Sequence, residues 1–252
     1  MADGDHRMNR GVLVTGGSSG IGRAIATAFA RSGDRVAVHY SSRRDNAEKT
    51  LAGLPGEGHV LVEGDLVTPE GAEAVVARAI EALGTVHVLV NNAAVVLPSP
   101  LAETSYEDWQ EQWRKTMDVN VFGIANTTYC VARHMIDNGI AGRIVNIGSR
   151  GAFRGEPDHP AYGASKAAVH ALGQSLAASL APHGIAVASV APGFVATERV
   201  ADRVTDEVRA QSPFNRVGRP EEIASAVHYL ASAEATWTSG AVLDVNGASY
   251  LH

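Results

Sequence analysis

VLVTGGSSGIGRAIATAFARSG (12–33) opens as an apolar, β-branched run, breaks on glycines and resumes with apolar residues at helical spacing. That order reads as strand, tight turn, helix. Gly16, Gly20 and Gly22 follow a T-G-x-x-x-G-x-G spacing. Glycine there permits a tight turn and lets backbone approach a bound pyrophosphate. The helix start offers unpaired N–H groups and the positive end of its dipole. A glycine-rich turn with no ligand is the plainer alternative. Its position directly after the first strand favours the dinucleotide-binding reading.

Six further apolar runs follow: RVAVHY (35–40), HVLVEGD (59–65), VHVLVNN (86–92), GRIVNIGS (142–149), IAVASVAPG (185–193) and AVLDVNG (241–247). Most lack strict alternation, as strands covered on both faces do. Helical segments lie between them. PEGAEAVVARAIEAL (69–83) carries Pro69 in its first turn and is followed by Gly84 as a C-cap. The pattern predicts an α/β fold, a single-domain Rossmann-type doubly wound sheet of about seven parallel strands with helices on both faces. Residues 1–10 are expected to form a flexible N-terminal segment, and 11–252 one catalytic domain containing a substrate loop at about 194–218.

The chain has 252 residues, a formal net charge of −6 and 45% hydrophobic residues. Such a composition gives no basic footprint for nucleic acid and no polybasic membrane anchor. No apolar run is long enough to span a bilayer, and the polar start MADGDHRMNR (1–10) lacks the apolar core of a secretory signal. A cytoplasmic protein is expected. The single cysteine, Cys130, excludes an internal disulfide and reads as a buried thiol. Ten histidines are scattered without metal-ligand spacing, so no catalytic metal is expected.

The end of the second strand should meet the adenosine ribose, where a carboxylate selects unphosphorylated ribose. HYSSRRD (39–45) offers Ser41, Ser42, Arg43 and Arg44 before any carboxylate appears. Hydroxyls and guanidinium suit a 2′-phosphate, which favours NADP(H) over NAD(H). An arginine pair at a solvated helix start is the competing reading.

AYGASKAAVHALG (161–173) places Tyr162 and Lys166 at i and i+4, on one face of a helix. A phenol is a weak acid at neutral pH, and a neighbouring ammonium favours its ionised form. A tyrosine merely packed on a lysine stem is the plainer alternative for the pair alone. Ser149 ends the strand 143–149, thirteen residues before Tyr162, at the carboxyl edge where ligands of open α/β sheets bind.

With the glycine turn, VNNAA (90–94), DVNVFG (118–123) and VAPGFVAT (190–197), the set resembles the short-chain dehydrogenase/reductase family over essentially the whole chain. GRPEEIASAVHYLASAEATWTSGAVLDVNG (218–247) is similar to the 3-oxoacyl-(acyl-carrier-protein) reductase branch. The resemblance implies that Tyr162 is the proton donor, or the base in the oxidative direction. It makes Ser149 the oxyanion partner, and Lys166 the group that tunes Tyr162 and holds the nicotinamide ribose. Asn120 would hold a water linking Lys166 to solvent. Gly16, Ser18, Ser19, Ile21 and Gly22 would line the pyrophosphate, and Asp65 and Leu66 would flank the adenine. Asn92 and Ala93 would face the adenosine side. Pro192, Gly193, Val195 and Thr197 would run along the nicotinamide.

Three departures bear on these expectations. Ala94 stands where the family has glycine, and Ser19 where NADP-preferring relatives often have arginine. MIDNGIAG (135–142) lacks the basic cluster that docks an acyl carrier, which argues against delivery by a carrier protein. Trp109 and Trp113 read as core or subunit packing. Glu156 and His159 read as solvated residues of a loop over the site, and 197–218 as a mobile lid. The family resemblance implies a homotetramer. The expected activity is an NADP-dependent ketoreductase acting on a ketone, 3-oxoacyl or secondary alcohol substrate. An NAD-dependent alcohol, steroid or sugar dehydrogenase and a catalytically silent dinucleotide-binding scaffold are the alternatives.

Overall fold

The structure, a computed structural model, describes residues 9–251. The expected N-terminal segment therefore falls, up to residue 8, outside the described residues. Arg10 is anchored: its guanidinium pairs with Asp34 at 2.7 Å and donates to the Ala231 carbonyl at 2.7 Å.

The first half of the chain is β1 (Gly11–Val14), α1 (Gly20–Arg31), β2 (Arg35–Tyr40), α2 (Arg44–Ala52), β3 (Val60–Glu63), α3 (Pro69–Leu83) and β4 (Val88–Asn91). Thr68 caps α3 by accepting from the Gly71 N–H at 3.1 Å, and Pro69 occupies a first-turn position where its missing N–H is harmless. Gly84, at φ +75, ends it in a conformation that favours glycine. The second half continues with α4 (Tyr106–Met117), which runs through a π turn (Asp118–Phe122) into α5 (Gly123–Asp137). Then come β5 (Arg143–Ile147), α6 (Gly151–Arg154), α7 (Pro160–Leu180), β6 (Ala186–Pro192), α8 (Asp206–Ala210), α9 (Pro220–Leu230) and β7 (Val242–Val245).

All seven strands are parallel, in the order β3-β2-β1-β4-β5-β6-β7. Val12 of β1 pairs with Val36 of β2 on one side and Val88 of β4 on the other. The winding reverses between β1 and β4, so a crevice opens there beyond the carboxyl ends of the strands. Alternate residues of each strand serve two cores. Val12 and Val14 pack with Ile25 and Phe29 of α1 and with Ile223 and Val227 of α9. Leu13 and Leu89 face Val75 and Ala79 of α3, Val131 of α5 and Leu180 of α7. Coverage on both faces explains why the strands read as continuous apolar runs.

Cys130 is half-buried on α5 rather than sealed in the core. The Trp109 and Trp113 rings lie 5.6 Å apart on α4. Among the described residues, no helix is long and apolar enough to cross a membrane.

Candidate active site

The crevice over β1 and β4 is a cleft of about 610 Å³. Gly16 and Gly20 both adopt positive φ, at +62 and +53. Gly22 sits where a methyl group would run into the Gly16 carbonyl and come within 2.6 Å of Asn92 Nδ2. Thr15 Oγ1 accepts from the N–H groups of Asn92 and Ala93, at 2.9 and 3.1 Å. Asn92 Nδ2 donates to the carbonyls of Thr15 and Gly16, at 2.9 and 3.0 Å. Asn92 therefore reaches the cleft mainly as the brace of the glycine turn.

His39, at the end of β2, completes this brace. Its Nδ1 accepts from the Gly16 N–H at 3.1 Å, which leaves Nε2 to donate to the Gly64 carbonyl at 3.0 Å. Burial holds its pKa below the usual 6.5, against the opposing pull of the Gly64 bond. The native state thus excludes a proton that the unfolded chain binds. This contribution is complete above pH 6.5 and is lost as pH falls through the folded-state value. The melting temperature is expected to drop between pH 7 and pH 5, with a shallower drop in His39→Gln, whose amide oxygen can still accept from Gly16. Burial also lowers the pKa values of His87, His134 and His228, so the slope should flatten only in part. Identical slopes in the two proteins would remove His39 from the account.

The residues fit an anionic dinucleotide. Helix α1 begins at Ser19 without a side-chain cap, so its first N–H groups face the cleft that Ser18, Ser19 and Ile21 line. Ser41, Ser42 and Arg43 are exposed on the rim. Arg44 is bound to Glu48 at 2.8 Å along α2, whereas Arg43 has no ion-pair partner among the described residues. Asp65, Leu66, Ala93 and Ala94 form the wall from β3 to β4.

The carboxyl ends of β5 and β6 carry the opposite wall. Lys166 is buried on α7 and its Nζ donates to the Ile147 carbonyl at 2.8 Å. Burial lowers its pKa to about 8, so it still holds its proton at neutral pH. The same Nζ lies 5.7 Å from the ring centroid of Tyr162. Ser149 Oγ accepts from the Gly151 N–H at 3.0 Å, and its own O–H remains to donate. Pro192, Gly193, Val195 and Thr197 follow β6 along the cleft, and Thr197 packs against Gly20.

Asn120 alone among the residues to which the family resemblance gives a role does not line the cleft; it is fully buried within the π turn. Its Oδ1 accepts from the Val95 N–H at 2.8 Å. Its Nδ2 donates to the Val95 carbonyl at 2.9 Å and to Ser165 Oγ at 3.1 Å. Ser165 in turn donates to the Tyr162 carbonyl at 2.8 Å. The side chain joins the 93–96 wall to the first turn of α7. With its Oδ1 and both Nδ2 hydrogens engaged, the Asn120 side chain is a brace of the cleft wall.

The expected lid is pinned at its base. Val195 bridges Gly218, with Ala196 N–H to Gly218 O and Gly218 N–H to Phe194 O both at 2.8 Å. Glu198 ties it to Arg23 of α1 at 2.8 Å. Glu156 and His159 also line the cleft. His39 and Arg150, both buried, escaped the sequence reading. Their only signals are a histidine inside an apolar strand and an arginine next to Ser149.

The fold agrees with what comparison finds. A family model described as "Enoyl-(Acyl carrier protein) reductase" matches residues 16–248. Glucose 1-dehydrogenase 2 of Bacillus subtilis is 36% identical over 250 residues, covering 95% of this chain and 94% of that protein. A 3-oxoacyl-[acyl-carrier-protein] reductase of Staphylococcus epidermidis is 32% identical over 249 residues, covering 97% and 100%. The crystal structure of a short chain dehydrogenase from Bacillus anthracis superimposes with a TM-score of 0.87 at 28% identity, over 98% of each chain. By fold, cleft and relatedness, the chain belongs to the short-chain dehydrogenase/reductase family of NAD(P)-dependent oxidoreductases acting on alcohol and ketone groups.

Proposed function

We propose that this enzyme is an NADP-dependent ketoreductase that interconverts a ketone or 3-oxoacyl group and a secondary alcohol. The observation that carries the proposal is the grouping of Tyr162, Lys166 and Ser149 in the cleft that also holds the glycine turn. When bound, the nicotinamide supplies or accepts the hydride. Ser149 Oγ–H donates to the substrate oxygen and stabilises the negative charge that develops there. Tyr162 gives that oxygen its proton, and the Lys166 ammonium favours the phenolate left behind. Asn120 is a positioning residue, since it reaches Tyr162 through Ser165.

Gly16, Ser18, Ser19, Ile21 and Gly22 would receive the pyrophosphate, and Asp65, Leu66, Asn92 and Ala93 the adenosine. Pro192, Gly193, Val195 and Thr197 would flank the nicotinamide, with Lys166 on its ribose. Ser41, Ser42 and Arg43 would take a 2′-phosphate. kcat/KM for NADPH is therefore expected to exceed that for NADH. Arg43→Ala should lower the NADPH value roughly tenfold, the size of one charge-assisted hydrogen bond, while sparing NADH. A wild-type preference for NADH contradicts this assignment.

One observation favours a second reading, an NAD-dependent sugar dehydrogenase working oxidatively: a glucose dehydrogenase is among the relatives. A screen of ketones, acyl thioesters and sugars with both cofactors separates the two. Tyr106, Phe122 and Tyr129 are exposed on α4, the π turn and α5, which supports self-association through this face, up to the homotetramer that the family resemblance implies.

A further inference from the structure

Arg150 follows Ser149 directly, yet only 6% of its surface is exposed. It stands in the wall between the main cleft and a second cavity of about 280 Å³ under the lid; Arg150, Gly193 and Phe194 line both spaces. Its backbone is fixed by the bond from its N–H to the Pro192 carbonyl at 3.0 Å. Nη2 donates to Gln211 Oε1, at the end of α8. Arg154 Nη1 approaches the same oxygen at 3.5 Å.

Two guanidinium groups thus converge on one neutral amide oxygen. Neither has a carboxylate within ion-pair distance among the described residues. Burial and then the like charge of Arg154 act against the Arg150 cation, and Glu156 acts in its favour. A buried cation without a counter-charge is unfavourable, because the lost hydration is not replaced. A guanidinium carries five N–H donors, and no nitrogen of Arg150 is among the sealed, partnerless atoms. Its remaining donors therefore keep some accessible surface, in a residue that lines both cavities.

We propose that Arg150, supported by Arg154, recognises a carboxylate on the carbonyl substrate. The planar fork of Arg150 matches a carboxylate in bidentate fashion, and Gln211 holds the position that the carboxylate takes over when it binds. Because Arg150 adjoins Ser149, the carboxylate and the reacting carbonyl belong to one small molecule, an oxo-acid or hydroxy-acid. The proposal rests on the oxidoreductase reading of the cleft and adds the charge of its substrate.

The test pairs acetoacetate with acetoacetamide, which differ in charge and little in shape. Each is reduced with NADPH by wild type, Arg150→Gln, Arg150→Lys and Arg154→Gln. Binding of acetoacetate to the NADP⁺-loaded proteins is followed by calorimetry. Wild type is expected to favour acetoacetate roughly tenfold or more in kcat/KM, through KM. Arg150→Gln should erase that preference while leaving acetoacetamide unaffected; Arg150→Lys should restore part of it, and Arg154→Gln should weaken it. Equal use of the two compounds by wild type, or an equal loss for both in Arg150→Gln, overturns the proposal while leaving the ketoreductase reading intact. If neither compound turns over, calorimetry decides: binding that disappears in Arg150→Gln supports the anion site, and no binding to wild type refutes it. A persistent absence of turnover with every carbonyl screened counts instead against the ketoreductase reading.

Discussion

Replacing Tyr162 with phenylalanine is expected to lower kcat by roughly 10²–10⁴-fold, the usual contribution of a positioned general acid. The substitution deletes only the phenolic oxygen. The ring stays over Lys166, whose Nζ is held by the Ile147 carbonyl. The first turn of α7 stays fixed through Ser165 and Asn120, which grip the Tyr162 backbone. Cofactor affinity and the melting temperature should therefore remain nearly as in wild type. Fluorescence titration with NADPH beside steady-state rates checks both halves. A variant that keeps its rate removes Tyr162 from the chemistry, and one that loses cofactor binding makes its role structural.

Gly22→Ala should produce the second large effect, on affinity and stability together. The added methyl meets the Gly16 carbonyl and Asn92 Nδ2, the atoms that set the turn against the end of β4. Neither can retreat cheaply. Gly16 is tied to His39, and Asn92 holds the carbonyls of Thr15 and Gly16. Overpacking of this kind costs about 1–3 kcal/mol. Distortion of the cradle should also weaken dinucleotide binding by more than about tenfold, since 1.4 kcal/mol is already a factor of ten. Calorimetric titration and thermal melting measure the two losses. Wild-type values in both would mean that the turn tolerates a side chain and that its third glycine has no packing role.

The fold was legible because its signals are local. Strands buried on both faces leave unbroken apolar runs, and α3 announces its ends through Pro69 and Gly84. Tyr162 and Lys166 were visible because i, i+4 spacing fixes their common face whatever surrounds them. Other features depend on partners far away in the chain. The burial of Arg150 needs Gln211, sixty-one residues on, and the support from His39 needs Gly16 and Gly64. The pinch between Val195 and Gly218 is likewise a tertiary contact. The π turn holding Asn120 inserts one residue into an otherwise continuous helix, and apolar periodicity is too coarse to register it.

The central claim is that the Lys166 ammonium makes the Tyr162 phenol competent in proton transfer. The direct measurement is the pH dependence of kcat/KM for alcohol oxidation at saturating cofactor, in wild type and in the residual activity of Lys166→Met. If Tyr162 is the base, the rate rises with pH to a plateau, and removing the neighbouring positive charge moves that rise to higher pH. The same profile in both proteins would contradict the account.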